Sequence, residues 1–142
     1  GRLILCSHTF AEEAFLTKES LKITLEDNAN VDIVLMQNEH NDAEHICDFE
    51  INMGRDASLK MVFLTLHGGK ITNNIKVNLN GENGSCDLSG LYVVDGKQQV
   101  RNIISMNHRV PNCYSSQLFK GILDNSSVAT FSGLIHVYPD AQ

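Results

Sequence analysis

Apolar and polar residues alternate with a period of two over much of the chain, and this alternation restricts the fold more than any other feature. In the segments 21–25, 31–35 and 75–79, every second residue is Leu, Ile or Val. A period of two places alternate side chains on opposite faces of a β-strand. The pattern therefore predicts strands in these segments, and further strand-like runs lie at 46–51, 59–66, 86–94, 100–106 and 128–138.

Turn-forming residues separate these runs at intervals of about 8–12 residues, which is typical of all-β proteins. Asn, Asp and Gly tolerate left-handed backbone, so their pairs indicate where strands end. We expect short helical turns only at 11–15 and 115–119. The predicted turns are Asp27-Asn28, Asn41-Asp42, Gly68-Gly69, Asn73-Asn74, Asn80-Gly81, Asn83-Gly84, Asp95-Gly96 and Asp124-Asn125.

Three all-β architectures fit this spacing: a β-sandwich or jelly roll, a closed barrel, and a right-handed parallel β-helix. The spacing does not choose among them. Uneven corners and mildly polar outer faces favour the β-helix slightly. No strict repeat, such as a hexapeptide array, is visible in the sequence.

The length and charge of the chain restrict the classes of function that it can have. The 142 residues suit a single domain. The net charge of −6, with no run of Lys or Arg, argues against a nucleic-acid-binding face. No apolar run approaches the roughly 18 residues that a membrane-spanning helix needs. The apolar pattern is already present at Leu3 and continues to Val137, so we expect the chain to be a piece of a longer protein.

Four cysteines are widely spaced, at positions 6, 47, 86 and 113. No C-x-x-C pair occurs, so zinc ribbons and ferredoxin-type cluster loops are not supported. Sparse cysteines in a chain of this size fit a reducing compartment, with most thiols buried.

The segment 39–45 contains His40 and His45 among three carboxylates. His and carboxylate ligands suit Zn, Fe or Mn. However, the His-x-His pattern of jelly-roll metal enzymes is missing, and a polar turn explains the segment as well. The nearby His67-Gly68-Gly69 lacks the Lys and following helix of a phosphate loop, so we interpret it as a tight corner.

The segment 108–121 concentrates His, Cys, Ser and Lys side chains, which are the components of a nucleophilic site. A Cys/His pair needs spatial contact that sequence cannot show. Pro111 and Asn112 favour an irregular bend, and Lys120-Gly121 has the composition of a helix end. We interpret the crowding around His108 and Cys113 as a chain bending between strands.

The same segment resembles the signature of the SufB/SufD family of iron–sulfur assembly proteins. The continuation 129–142 also resembles that family, as do the upstream segments 37–41, 66–69, 79–82 and 86–92, in the same order. The forms Gln-Asn-Glu-His and Lys-Gly-Ile-Leu-Asp favour the SufD branch. Within the signature, the matching positions are His108, Pro111, Cys113, Gln117, Lys120, Gly121 and Asp124.

The resemblance implies a right-handed parallel β-helix and a non-catalytic role. Family members pair SufB with SufD and, with two copies of the ATPase SufC, form a cytoplasmic scaffold that builds iron–sulfur clusters. SufD is linked to iron acquisition, and some SufD proteins form homodimers through the end of the β-helix. Open strand edges lead us to expect such dimerisation or stacking here.

The resemblance assigns no catalytic residue, cofactor or metal ligand to this chain. The family's cluster-linked Cys and His occur in a later Lys-Cys-Ser-His-Gly-Ala-Thr segment, beyond Gln142, so we expect the seven signature positions to be structural. Residues 1–142 would form one β-helix core domain without the family's N- and C-terminal helical parts. The iron–sulfur cluster would be the product of the parent complex.

Two other functions remain as alternatives. A β-helix enzyme acting on acidic polysaccharide would need clustered basic residues, whereas the 11 Lys and Arg are scattered. A small metal-binding β-domain would use His40, His45 and their neighbours.

Overall fold

The computed structural model describes residues 1–8, 16–39 and 41–141, and nearly all of these lie in strands or in the short corners between them. Ten β-strands and one short 3₁₀ helix occur in these ranges. In chain order they are β1 (Arg2–His8), β2 (Leu16–Leu25), β3 (Asn30–Asn38), β4 (Glu44–Met53), β5 (Ser58–His67), β6 (Lys70–Leu79), β7 (Ser85–Val94), β8 (Gln99–His108), β9 (Tyr114–Leu123), β10 (Val128–Val137) and the 3₁₀ helix Pro139–Ala141.

Consecutive strands alternate between two five-stranded sheets. Sheet A has the order β1-β3-β5-β7-β9, and sheet B has the order β10-β8-β6-β4-β2. Every pairing in both sheets is parallel. The chain therefore winds in coils of two strands each, and the prediction of a parallel β-helix is confirmed. A sandwich, a jelly roll or an up-and-down barrel would require antiparallel neighbours.

The coils are not equal in length, which explains why no repeat is visible in the sequence. Asn30, Ser58, Ser85 and Tyr114 are in register in sheet A and begin successive strands. One coil is about 28 residues long. Length differences fall in the corners, apart from one extra residue, Leu66, near the end of β5, where the register with β3 shifts between Gln37 and Asn38.

The corners that lead from sheet B to sheet A share one local structure. Asn28, Asp56, Asn83 and Asn112 occupy equivalent corners with φ between 56° and 64°. Asx residues accept this left-handed conformation more readily than other side chains do. The stacked corners are also bonded to one another, because Asn83 Nδ2 donates to Asp56 Oδ1 at 2.9 Å. The turns at Asn28 and Asn83 were predicted correctly, and a bend was expected at Asn112, whereas the corner at Asp56 was not predicted.

Three local predictions need comment. Asn73-Asn74 is not a turn but lies in the middle of β6. Residues 115–119 are not helical, and Lys120-Gly121 is not a helix end, because all of them belong to β9. In both places, pairing with neighbouring strands outweighs the preference of the local sequence for a turn or a helix. The helical turn expected at 11–15 lies outside the described residues.

The interior is filled by the inward-facing side chains of both sheets. A row of aromatic rings runs along it, with centroid separations of 5.6 Å, 6.1 Å and 5.1 Å between Phe49, Phe63, Phe119 and Phe131 in turn. Aliphatic residues such as Ile51 and Leu79 are fully buried around it. Burial at about 25 cal/mol per Å² of apolar surface makes this interior the main source of stability.

No helix in the described part of the chain has the length and hydrophobicity that a bilayer crossing requires.

Candidate functional site

The structure separates the two most reactive side chains of the signature segment. His108 ends β8, and its Nε2 lies 2.8 Å from Ser115 Oγ. Burial lowers the pKa of His108, which favours the neutral imidazole. The Cys113 thiol instead donates to the carbonyl oxygens of Gly81 (3.5 Å) and Pro111 (3.7 Å). The hydrogen bonds of His108 and Cys113 thus tie one strand and one corner to their neighbours, rather than pairing a base with a nucleophile.

The other signature positions follow β9 and its corner. Gly121 lies against the ring of Tyr92 on the neighbouring strand, where a Cβ would collide with the ring. Asp124 forms the next corner, where its carboxylate accepts from the Asn125 N–H (2.7 Å) and its carbonyl accepts from Ser127 Oγ (2.6 Å).

Lys120 is exposed on β9. Gln117 is half-buried on the same strand, and its Nε2 is buried without a hydrogen-bond partner among the described residues. The signature residues are therefore spread over the end of β8, β9 and the corners on either side of β9.

The last coil, formed by β9 and β10, exposes an unusually apolar surface that we call the terminal coil face. Among the strands that the structure describes, β10 pairs with β8 alone, so its other edge has backbone donors and acceptors that no described strand uses. Residues of β10 that would face a core are exposed as well, including Phe131 (46%) and Ile135 (53%). The outward-facing Leu134 is 63% exposed. Such a surface is suited to a further coil or to a strand of another chain.

A polar column interrupts the apolar interior of sheet B. Glu19, Cys47, Asn73 and Asn102 occupy the same register position on β2, β4, β6 and β8. Cys47, Asn73 and Asn102 are buried, whereas Glu19 is exposed because β2 is the edge strand. This column was not predicted from the sequence, because its members are one coil apart.

Amide side chains in the column are bonded to one another and to the opposite sheet. Gln37 Nε2 of β3 donates to Asn73 Oδ1 (2.8 Å), and Asn73 Nδ2 donates back to Gln37 Oε1 (3.1 Å). Asn73 Nδ2 also donates to Asn102 Oδ1 (2.9 Å), and Thr65 Oγ1 donates to Gln37 Oε1 (2.9 Å). These bonds satisfy groups that would be costly to bury alone.

Next to the column, His45 lies between two carboxylates. Its Nδ1 is 3.0 Å from Glu39 Oε1, and both side chains are only 3% exposed. Its Nε2 is 3.4 Å from Glu19 Oε2, but this contact does not meet hydrogen-bond geometry. Nε2 therefore has no hydrogen-bond partner among the described residues, although it is buried.

Cys47 completes this group, because His45 and Cys47 are two residues apart on β4 and both point inward. Ligand atoms of Glu19, His45 and Cys47 all lie within 4.8 Å of one another. Burial, and then the charges of Glu19 and Asp48, raise the pKa of the Cys47 thiol to about 12.

The metal site considered from sequence comprised His40, His45 and neighbouring carboxylates. The structure brings His45 and Glu39 together, whereas His40 lies outside the described residues. Glu19 and Cys47 were not predicted as part of any site. The alternation along this strand could have indicated part of the site, because a period of two places His45 and Cys47 on one face. Gly68-Gly69 forms the corner before β6, as predicted, and follows His67, the last residue of β5, whose carbonyl accepts from the Glu39 N–H at 3.0 Å.

Comparison with known proteins identifies the family. A family model described as the SufBD core domain of the SUF system for FeS cluster assembly matches residues 2–142. An iron–sulfur cluster assembly SufBD family protein of Mycobacterium leprae is 25% identical over 130 residues, which cover 87% of this chain and 33% of the relative. A similar protein of Synechocystis is 24% identical over 96% of this chain and 30% of its own length.

An iron–sulfur cluster assembly protein SufD of Plasmodium falciparum is also similar, with 28% identity over 78% of this chain and 8% of the relative. The chain thus spans a third or less of the length of these curated relatives. The match over almost every residue, together with the parallel β-helix, shows that this chain belongs to the SufBD core-domain family of the SUF system for FeS cluster assembly.

Proposed function

We propose that this domain is a non-catalytic, SufD-like scaffold that supports cluster assembly and iron acquisition with SufB-like and SufC-like subunits in the cytoplasm. The observation that carries the proposal is the family match over residues 2–142, combined with the exposed terminal coil face. A stack of coils offers long strand edges and flat faces, which suit the holding of other chains.

The engagement of the signature residues supports a structural role. His108 is bonded to Ser115, and Cys113 is bonded to backbone carbonyls, so both side chains stabilise corners. In this proposal the iron–sulfur cluster is the cargo of the complex.

The terminal coil face is suited to a partner chain that adds a strand to the exposed edge. β10 presents a ten-residue parallel edge with apolar side chains on both of its faces. Association through this edge would bury Phe131, Leu134 and Ile135 and would satisfy free backbone groups. The same edge could be used by a second copy of this chain, which would produce a homodimer.

The state of the cysteines agrees with a reducing compartment. All four are free thiols, and Cys47 and Cys86 are buried. Burial also raises the pKa of Cys86 to about 12, so this thiol is unreactive at neutral pH.

The experiment that tests the proposal is co-expression of the full reading frame containing this domain with the SufB-like protein and the ABC-type ATPase of the same genome. We expect the three to co-elute as one complex after purification through a tag on the ATPase. A full-length protein that binds neither subunit would refute the scaffold role. Depolymerisation of polygalacturonate by the purified protein would instead favour the enzymatic alternative.

A further inference from the structure

We propose that Glu19, His45 and Cys47 bind a divalent transition-metal ion of borderline softness, Fe²⁺ or Zn²⁺, at the end of the stack where β2 is the edge strand. The site goes beyond the scaffold role, because it uses only side chains of this chain and needs no partner subunit.

The spacing of the ligand atoms suits a small ion. The three atoms lie within 4.8 Å of one another. In a tetrahedral site with bonds of 2.0–2.1 Å to N and O, neighbouring ligand atoms are about 3.4 Å apart. The distance between His45 Nε2 and Glu19 Oε2 is 3.4 Å. These two ligands therefore already have the separation that an ion between them would need.

His45 is held in the orientation of a metal ligand. Its Nδ1 lies 3.0 Å from the buried Glu39 carboxylate, which fixes the ring and favours the tautomer with the proton on Nδ1. The lone pair of Nε2 is then available to an ion, and the nearby ligand atoms of Glu19 and Cys47 lie within 4.8 Å. A carboxylate–histidine–metal arrangement is the usual way in which proteins orient such a ligand. It also gives a role to Nε2, a buried atom that has no hydrogen-bond partner among the described residues.

The donor set selects the class of ion. One thiolate, one imidazole and one carboxylate suit Zn²⁺ and Fe²⁺, whereas Ca²⁺ and Mg²⁺ prefer oxygen ligands alone. Three protein ligands also leave a fourth position free, as in sites where an ion exchanges or reacts.

Glu19 lies on the edge strand, so an ion can reach the site from solvent. The Glu19 side chain is 47% exposed, while that of His45 is 3% exposed beneath it. An ion can therefore meet the carboxylate first and then the buried nitrogen and sulfur. Because Glu19 is exposed, its substitution tests the site without disturbing the core.

The experiment is an anaerobic titration of the purified, reduced protein with Co²⁺, which reports thiolate ligation through a near-ultraviolet charge-transfer band, followed by competition with Zn²⁺ and Fe²⁺. We expect one equivalent of Co²⁺ to produce the band, and Zn²⁺ to displace it. Glu19→Gln and Cys47→Ser should each weaken binding by about 100-fold or more, and Cys47→Ser should abolish the band. Glu39→Gln should keep the band but weaken binding about 10- to 100-fold, because it changes only the orientation of His45.

Matched controls exclude other sites. Glu50→Gln, on the same strand as Cys47, and Cys86→Ser, at another buried thiol, should leave the affinity unchanged. Circular dichroism of each variant checks its fold. The proposal is overturned if no charge-transfer band forms, if Glu19→Gln binds as tightly as the parent protein, or if Cys6→Ser removes the band, which would place the ion on the exposed thiol.

Discussion

The buried amide network gives a sharp test of how the polar column is stabilised, because Asn73 and Asn74 are neighbours in sequence with opposite environments. Asn73 is fully buried and bonded to Gln37 and Asn102. Asn74 faces outward and makes an exposed hydrogen bond to Asp48 at 2.8 Å. Substitution of each by Ala removes the same side chain from the same strand.

The expected loss of unfolding free energy depends on the hydrogen-bonding groups that each substitution leaves without a partner. In Asn73→Ala, the Gln37 amide N–H and the Asn102 carbonyl oxygen lose their partners inside the protein. Each buried unsatisfied group costs about 1–3 kcal/mol, so we expect Asn73→Ala to lower the free energy of unfolding by about 2–5 kcal/mol. In Asn74→Ala, water replaces the lost partner of Asp48, and the cost should be about 1 kcal/mol or less.

The assay is urea unfolding followed by far-ultraviolet circular dichroism, which reports the loss of strand structure directly. A cycle with Asn102→Ala should show a coupling energy of about 0.5–3 kcal/mol, since Asn73 and Asn102 share one bond. Equal destabilisation by Asn73→Ala and Asn74→Ala would refute the reasoning, because it would mean that the buried network contributes no more than a surface hydrogen bond.

Three further predictions concern the interior, a corner contact and the terminal coil face. The pKa of Cys86 rises from 9.0 to about 12 on folding, so its contribution to stability is complete below pH 9 and is lost between pH 9 and 12, at about 1.4 kcal/mol per pH unit. The difference in unfolding free energy between the parent and Cys86→Ala should therefore shrink over that range, and a constant difference would contradict the buried thiol. Gly121→Ala should destabilise by about 1–3 kcal/mol, measured by thermal unfolding, because the new methyl group meets the ring of Tyr92; an unchanged midpoint would show that the ring moves freely. Ile135→Lys on the exposed edge strand should reduce self-association in light scattering, and a parent protein that stays monomeric at high concentration would rule out pairing through this edge.

Local pattern was sufficient to locate most of the strands, although residues 115–119 of β9 were expected to be helical. The segments 21–25, 31–35 and 75–79 lie in β2, β3 and β6, as their alternation predicted. The corners at Asn28 and Asn83 were predicted for a physical reason, since they occupy left-handed backbone. Prediction failed where a local signal had another cause. Asn73-Asn74 has the composition of a turn, but in β6 these side chains bond to neighbouring coils.

The candidate metal site shows a different limit of prediction from sequence, because its residues lie on separate coils. His45 and Glu39 are close in sequence and attracted attention as a polar segment. Glu19 lies on another coil, and its register with Cys47 depends on the combined length of β3 and of the two corners that join it to β2 and β4. That length varies from coil to coil, so no spacing rule could bring the two together in advance.

The sequence alone determined most of the strands, the residues of most corners and, through its resemblance to SufB and SufD, the family, because each of these depends on short-range pattern. Only the tertiary structure decided which residues stack on one another, since parallel coils bring together side chains about 28 residues apart. The polar column, the open terminal coil face and the Glu19–His45–Cys47 group all arise from that long-range register.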